Sequence, residues 1–194
     1  MIIGIDIDDT ITDTYEVMVN YAQQYTIDVL NREPILREGN CNTHFYTQYL
    51  HGWKDGEDIE FLKEYYEKII NEVKPKTLAV EYLKKLHDEG HKIILITARW
   101  ETEEANIEKL TQEWVESNNI PYDKLIINAE NKLIAAKQEN INIFIDDSFK
   151  NCKMVSESGI KTYMMDSRTN KGLIDEKIER LYSWPHLYMK LKEI

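Results

Sequence analysis

Cysteine is nearly missing from this chain of 194 residues: Cys41 and Cys152 stand far apart, with no C-x-x-C between them. That excludes both a disulfide framework and a zinc knuckle, and predicts two reduced thiols. Positive charge is also short. Lys and Arg number 24 against 35 Asp and Glu, giving a net charge of -11 and a pI near 5.0. A track for DNA or RNA needs clustered Lys and Arg, so no nucleic-acid polymer is expected as a partner, whereas a small phosphate ester held through a metal suits this balance. No apolar run approaches the roughly 20 residues that span a bilayer. The first residues also lack a basic segment followed by an apolar one, so the expectation is a soluble, cytoplasmic protein with no membrane partner. Repeats, low-complexity tracts and long charge blocks are absent too. Of five histidines, at 44, 51, 87, 91 and 186, none is expected to be a metal ligand, which leaves metal binding to oxygen donors.

What the chain does have is concentrated at its start, in MIIGIDIDDTIT. Ile2, Ile3 and Ile5 suit a strand buried on both faces. The run then stops in Asp6, Asp8 and Asp9, followed by Thr10. A buried parallel strand ending in carboxylates places them where open α/β sheets gather ligands. Asp6 and Asp8, two apart, lean to one side of an extended chain, and two such carboxylates require a cation, a shared proton, or both. An EF-hand reading of the same residues fails because the sixth position from Asp6 is Ile11 rather than Gly.

Farther on, Thr12 or Asp13 can cap a helix beginning near Tyr15, with Val17, Met18, Tyr21, Ala22 and Tyr25 on one face. Helical blocks are expected over 44–50 and 59–73, and no strand between Asp13 and Lys74. Beyond Pro75 the pattern alternates: helix 79–89, strand 92–97, helix 101–117, strand 124–128, helix 132–139, strand 141–145, helix 150–158 and a last strand 161–165, with helices 173–182 and 185–191 at the end. Such alternation predicts an α/β fold, a Rossmann-like parallel sheet flanked by helices. Residues 1–13 and 75–194 then form the core, and 14–74 is a helical insertion placed to roof the acidic loop.

Three further places complement the first strand. Thr97 ends the IILI run, where its hydroxyl can meet an oxygen. Lys132 opens a helix after a strand and is preferred to Lys137, a turn farther from the loops, as the cation for carboxylates and phosphate. Asp146 and Asp147 end INIFI, the second apolar run in this chain to stop in paired acids, which suggests a shared cation site. Hydrolysis of a phosphate monoester by a carboxylate nucleophile brings anion to anion, so Mg²⁺ is the expected cofactor. Asp6, Asp8, Asp146 and Asp147 are its candidate ligands, with a backbone carbonyl near Asp8. Asp8 can protonate the leaving alkoxide and later deprotonate water, while Thr97 and Lys132 stabilise the phosphoryl oxygens.

Asp6-x-Asp8-x-Thr10 after an apolar strand, Thr97 after a second, Lys132, and Asp146-Asp147 after a third resembles the haloacid dehalogenase superfamily of aspartate-nucleophile phosphohydrolases. The resemblance implies a Rossmann-like core, Mg²⁺ dependence, Asp6 as nucleophile, Asp8 as general acid/base and a helical cap over 14–74. With the ITAR and DDSFKNC runs, the chain looks most like small bacterial proteins grouped with 5'(3')-deoxyribonucleotidases. Those often have Gly where Asp9 stands and an aliphatic residue in place of Thr10. The implied substrate is a (deoxy)nucleoside monophosphate, with a sugar phosphate or phosphoglycolate as the alternative. Candidate substrate contacts are Thr10, Arg99 and Trp100 at the entrance, with Phe45 and Trp53 from the aromatic-rich patch that also holds His44, Tyr46 and Tyr49. A non-catalytic receiver-like switch would place its Lys after every acidic residue, whereas Lys132 precedes Asp146; a dehalogenase would have no use for Asp8.

Overall fold

The computed structural model describes residues 1–37, 46–103 and 105–194. Six strands form one sheet: β1 (Ile2–Ile5), β2 (Lys92–Ile96), β3 (Lys124–Ile126), β4 (Ile143–Asp146), β5 (Lys161–Met165) and β6 (Ile178–Leu181). Every pairing is parallel, and the spatial order is β3-β2-β1-β4-β5-β6. Parallel strands need crossovers, and helices supply all of them except the one from β5 to β6, which holds only a short 3-10 turn at Arg168–Asn170. Alternate side chains of the strands go to opposite layers. On one face Ile3, Ile5, Leu95 and Ile145 pack on α4 (Ala79–Asp88), α5 (Ile107–Ser117) and α8 (Trp184–Leu191). On the other, Ile94, Ile96 and Phe144 meet α6 (Lys132–Gln138) and α7 (Phe149–Glu157). Gly4 sits mid-strand because a Cβ there would lie 3.1 Å from Ile96 Cδ1 and 3.2 Å from Ile141.

Chain direction across the sheet reverses at β1, which has β2 on one side and β4 on the other. Strands pair Ile5 with Ile145, and Asp6 N–H donates to the Ile145 carbonyl at 2.9 Å, so Asp6 and Asp146 emerge side by side at the carboxyl rim. That switch point is where an open α/β sheet leaves a crevice.

Between β1 and α4 lie α1 (Thr14–Asp28), α2 (Tyr46–His51) and α3 (Glu57–Glu72), with no strand among the described residues. They share a core of their own, built from Ala22, Tyr25, Trp53, Phe61, Tyr65 and Ile69. The two chain segments that join these helices to the sheet are tied together: Thr12 bridges Pro75, and Lys76 N–H donates to the Ile11 carbonyl at 2.7 Å.

Two expectations are corrected. Residues 173–182 do not form a helix; 178–181 is instead a sixth strand, its register running from Thr162–Ile178 to Met165–Leu181. Ile174, Ile178 and Leu181 have helical spacing, but β5 offers an unpaired edge, and Arg180 locks the preceding loop by donating to the Asn170 and Leu173 carbonyls at 2.9 and 2.7 Å. The helix expected from 101 begins at Ile107. Glu101 caps it from outside, its carboxylate accepting from Ile107 N–H and Glu108 N–H at 3.0 and 2.7 Å. Among the described residues no helix is long and apolar enough to cross a membrane.

Candidate active site

Asp6 follows β1, Asp146 ends β4 and Asp147 is the next residue. These three buried carboxylates place one oxygen each within 4.8 Å of one another. Lys132, the first residue of α6, lies buried between two of them: its ammonium donates to Asp6 Oδ1 and, at 2.7 Å, to Asp146 Oδ2. Lys137 is exposed on the next turn. Asp146 is held further by Ser148 N–H at 2.7 Å and Asn151 Nδ2 at 3.2 Å. Ser148 also caps α7, its hydroxyl accepting from Asn151 N–H at 3.4 Å, so helix start and acid are built as one turn. Thr169, from the loop after β5, donates to Asp147 Oδ2 at 3.2 Å. Thr10 is fully buried and donates to Asp6 Oδ2 at 3.3 Å.

Charge is badly balanced here. Burial, opposed by Lys132 but reinforced by Asp146, Asp147 and Asp8, pushes the Asp6 carboxyl well up from its ordinary range. Asp147 is raised to about 8 by burial and by Asp9 and Asp146, and Asp9 to about 7, chiefly by burial. Lys132 pairs with two of the three carboxylates, and the ligand atoms the group offers are all hard oxygens. The residues present therefore fit a small divalent cation such as Mg²⁺.

Asp8 does not join them. From Asp8 to Ile11 the chain turns, and the Asp8 carboxylate, expected among the ligands of the cation, is not one of the three that converge. Arg99 grips it instead, Nε donating to Oδ2 at 2.9 Å and Nη2 to Oδ1 at 2.7 Å. Thr14 Oγ1 donates to Oδ1 at 2.7 Å, and Thr97 Oγ1 stands 3.5 Å from Oδ2. Burial opposes the charge on Asp8, but Arg99 and Thr14 overcome it and hold the carboxyl below its ordinary value.

The same grip corrects Arg99, expected at the entrance but 3% exposed. Trp53 is corrected as well. It is buried, donating to Thr26 Oγ1 at 2.8 Å and packing on Tyr25, Phe61 and His51 in the helical core. Phe45 and its neighbour His44 lie outside the described residues. Trp100 does face outward, 43% exposed, with its ring 5.3 Å from that of Tyr66. A groove of about 270 Å³ opens beside it, lined by Ile59, Leu62 and Lys63 of α3 and by residues 100–103. Tyr66 lies one helical turn on from Leu62, and burial, with the charge of Asp8, raises its phenol. Sequence reasoning passed over Thr14, Ser148, Asn151 and Thr169; a hydroxyl or amide in a polar stretch carries no sign of the carboxylate it will meet.

The sequence profile of a family described as 5' nucleotidase, deoxy (Pyrimidine), cytosolic type C matches residues 1–192. A nucleotidase of Clostridium acetobutylicum is 30% identical over 189 residues, covering 96% of this chain and 91% of its own. Among solved structures, a predicted phosphatase from Clostridium acetobutylicum superimposes with a TM-score of 0.70 at 16% identity, covering 100% of this chain and 98% of that one. A haloacid dehalogenase-like hydrolase from Streptococcus pneumoniae does so at 0.66 and 15%, covering 98% and 97%.

Proposed function

The chain belongs to the cytosolic type C 5' nucleotidase family and is a phosphomonoester hydrolase with a haloacid dehalogenase-like fold; from that premise we propose that Asp6 attacks the phosphorus of a small phosphate ester and carries the phosphoryl group as an aspartyl-phosphate. The observation that carries this reading is the convergence of Asp6, Asp146 and Asp147 on one point, with Lys132 bridging the first two. Those three acids would hold Mg²⁺, which when bound offsets the repulsion between carboxylate and phosphate.

An oxygen of Asp6 bonds to phosphorus while the ester oxygen leaves with its electron pair and takes a proton from Asp8, which carries that proton once the negative charge of the bound phosphate ester offsets Arg99. Water then attacks phosphorus, gives its proton to Asp8, and the Asp6–phosphorus bond breaks with its pair returned to the carboxylate. Lys132 and the Thr97 hydroxyl stabilise charge on the phosphoryl oxygens. Thr10 holds Asp6 so that its other oxygen faces phosphorus.

The 14–74 helices act as the cap, and the leaving group is a nucleoside whose base lies along Trp100 in the groove beside α3. Its support is the family profile together with the exposed Trp100 ring beside that groove, one residue on from the Arg99 that pairs with Asp8. The test is hydrolysis of p-nitrophenyl phosphate, expected with Mg²⁺, lost in EDTA, and abolished by Asp6→Asn. A panel of nucleoside monophosphates, sugar phosphates and phosphoglycolate then reads the leaving group; equal rates throughout would remove the nucleotide from the proposal.

A further inference from the structure

We propose that Arg99 is a positioning residue for Asp8, fixing the plane of the carboxylate that passes protons to the leaving oxygen and from the attacking water. The inference rests on the reaction proposed above and adds a residue to it. The Arg99 side chain is 2% exposed, so no substrate reaches it, whereas the Asp8 side chain it grips remains 32% exposed. The guanidinium is itself immobilised. Its third nitrogen, Nη1, donates to Thr111 Oγ1 at 3.4 Å, and its carbon lies 5.7 Å from the centre of the Trp114 ring, whose indole nitrogen is tied to the Val73 carbonyl at 2.9 Å.

A single-point cation such as Lys would leave the carboxylate free to rotate about its Cβ–Cγ bond. A fork on both oxygens removes that freedom, and Thr14 on Oδ1 with Thr97 near Oδ2 closes the same frame. Held in this frame, the Asp8 side chain still keeps 32% of its surface open for a leaving oxygen or a water.

Asp8 is needed unequally by different esters, and this separates positioning from mere support. Nitrophenolate leaves as a stable anion without a proton, whereas an alkoxide must receive one from Asp8 as its bond to phosphorus breaks. Hydrolysis of the aspartyl-phosphate needs Asp8 for both. Arg99→Lys keeps the charge and loses the fork. With p-nitrophenyl phosphate this variant is expected to release a burst of one nitrophenolate per chain at close to the wild-type rate, then turn over about 10- to 100-fold more slowly, within the range of acid–base catalysis. With the alkyl ester hydrolysed fastest in the panel above, the first turnover itself slows by that factor and KM holds.

In a second comparison, Asp8→Asn leaves the buried Arg99 charge without its partner, and Asp8→Asn/Arg99→Gln removes that charge as well; the double variant is expected to show no further loss of activity, because residues acting through one another are not additive. The inference is overturned if Arg99→Lys slows the nitrophenolate burst as much as the alkyl ester, if neither substrate slows, or if the double variant falls tenfold below Asp8→Asn. A wild-type protein that hydrolyses no ester defeats the proposed reaction instead, which keeps the two failures apart.

Discussion

Asp147→Asn in metal-free protein is a direct measure of how crowded the acidic rim is. Burial, Asp9 and Asp146 raise the Asp147 carboxyl from 3.8 to about 8. A folded value above the unfolded one means that the folded chain holds a proton the unfolded chain has lost. Stability is therefore fully present below about 3.8 and falls as pH rises toward 8. At about 1.4 kcal/mol per tenfold in proton affinity, the whole interval corresponds to at most about 6 kcal/mol. Asn keeps the shape and can still accept from Thr169, but carries no charge. In EDTA, urea unfolding should show wild type losing several kcal/mol between pH 5 and pH 8, a loss much reduced in Asp147→Asn, so that the variant is the more stable protein at pH 8. Adding Mg²⁺ should reverse that order by stabilising wild type selectively, since a ligand that binds only the folded state adds RT ln(1 + [L]/Kd). Equal stability of the two proteins at pH 8 in EDTA would refute the reasoning.

His51 is buried with its ring 5.0 Å from that of Trp53, and burial lowers its pKa, so the fold loses stability as pH drops below about 6.5, when the unfolded imidazole gains its proton first. His51→Phe should flatten the urea midpoint between pH 7 and pH 5. Trp53→Phe breaks the bond to Thr26 and leaves a gap in the helical core, so it should cost about 2 kcal/mol of unfolding free energy while the ranking of substrates stays as in wild type. Trp100→Ala is expected to raise KM for nucleoside monophosphates about tenfold and to leave p-nitrophenyl phosphate near its wild-type value; the same rise for both esters would remove the base from the groove. Ser148→Ala removes the α7 cap and should lower stability by about 1 kcal/mol, measurable as a drop in Tm.

The amino-acid order by itself determined the layered class, because buried parallel strands are two-faced and read as unbroken Ile, Leu and Phe, while their crossovers read as amphipathic helices. It also indicated where the acids gather: carboxylates that end two apolar runs lie at the strands' carboxyl edge, and there Asp6 and Asp146 meet Lys132. Tertiary structure alone decided the rest. Residues 173–182 carry spacing that suits helix or strand, and only the open edge of β5 settled it. Arg99 and Trp53 are a charge and an aromatic next to functional segments, which as sequence resemble substrate contacts; packing turned one inward onto Asp8 and the other into the helical core. Asp8 sits in the turn that follows the strand, where alternation no longer says which way a side chain goes. Local pattern records what a residue can do on its own backbone, whereas a partner 91 residues away, as Arg99 is from Asp8, is chosen by how the layers meet.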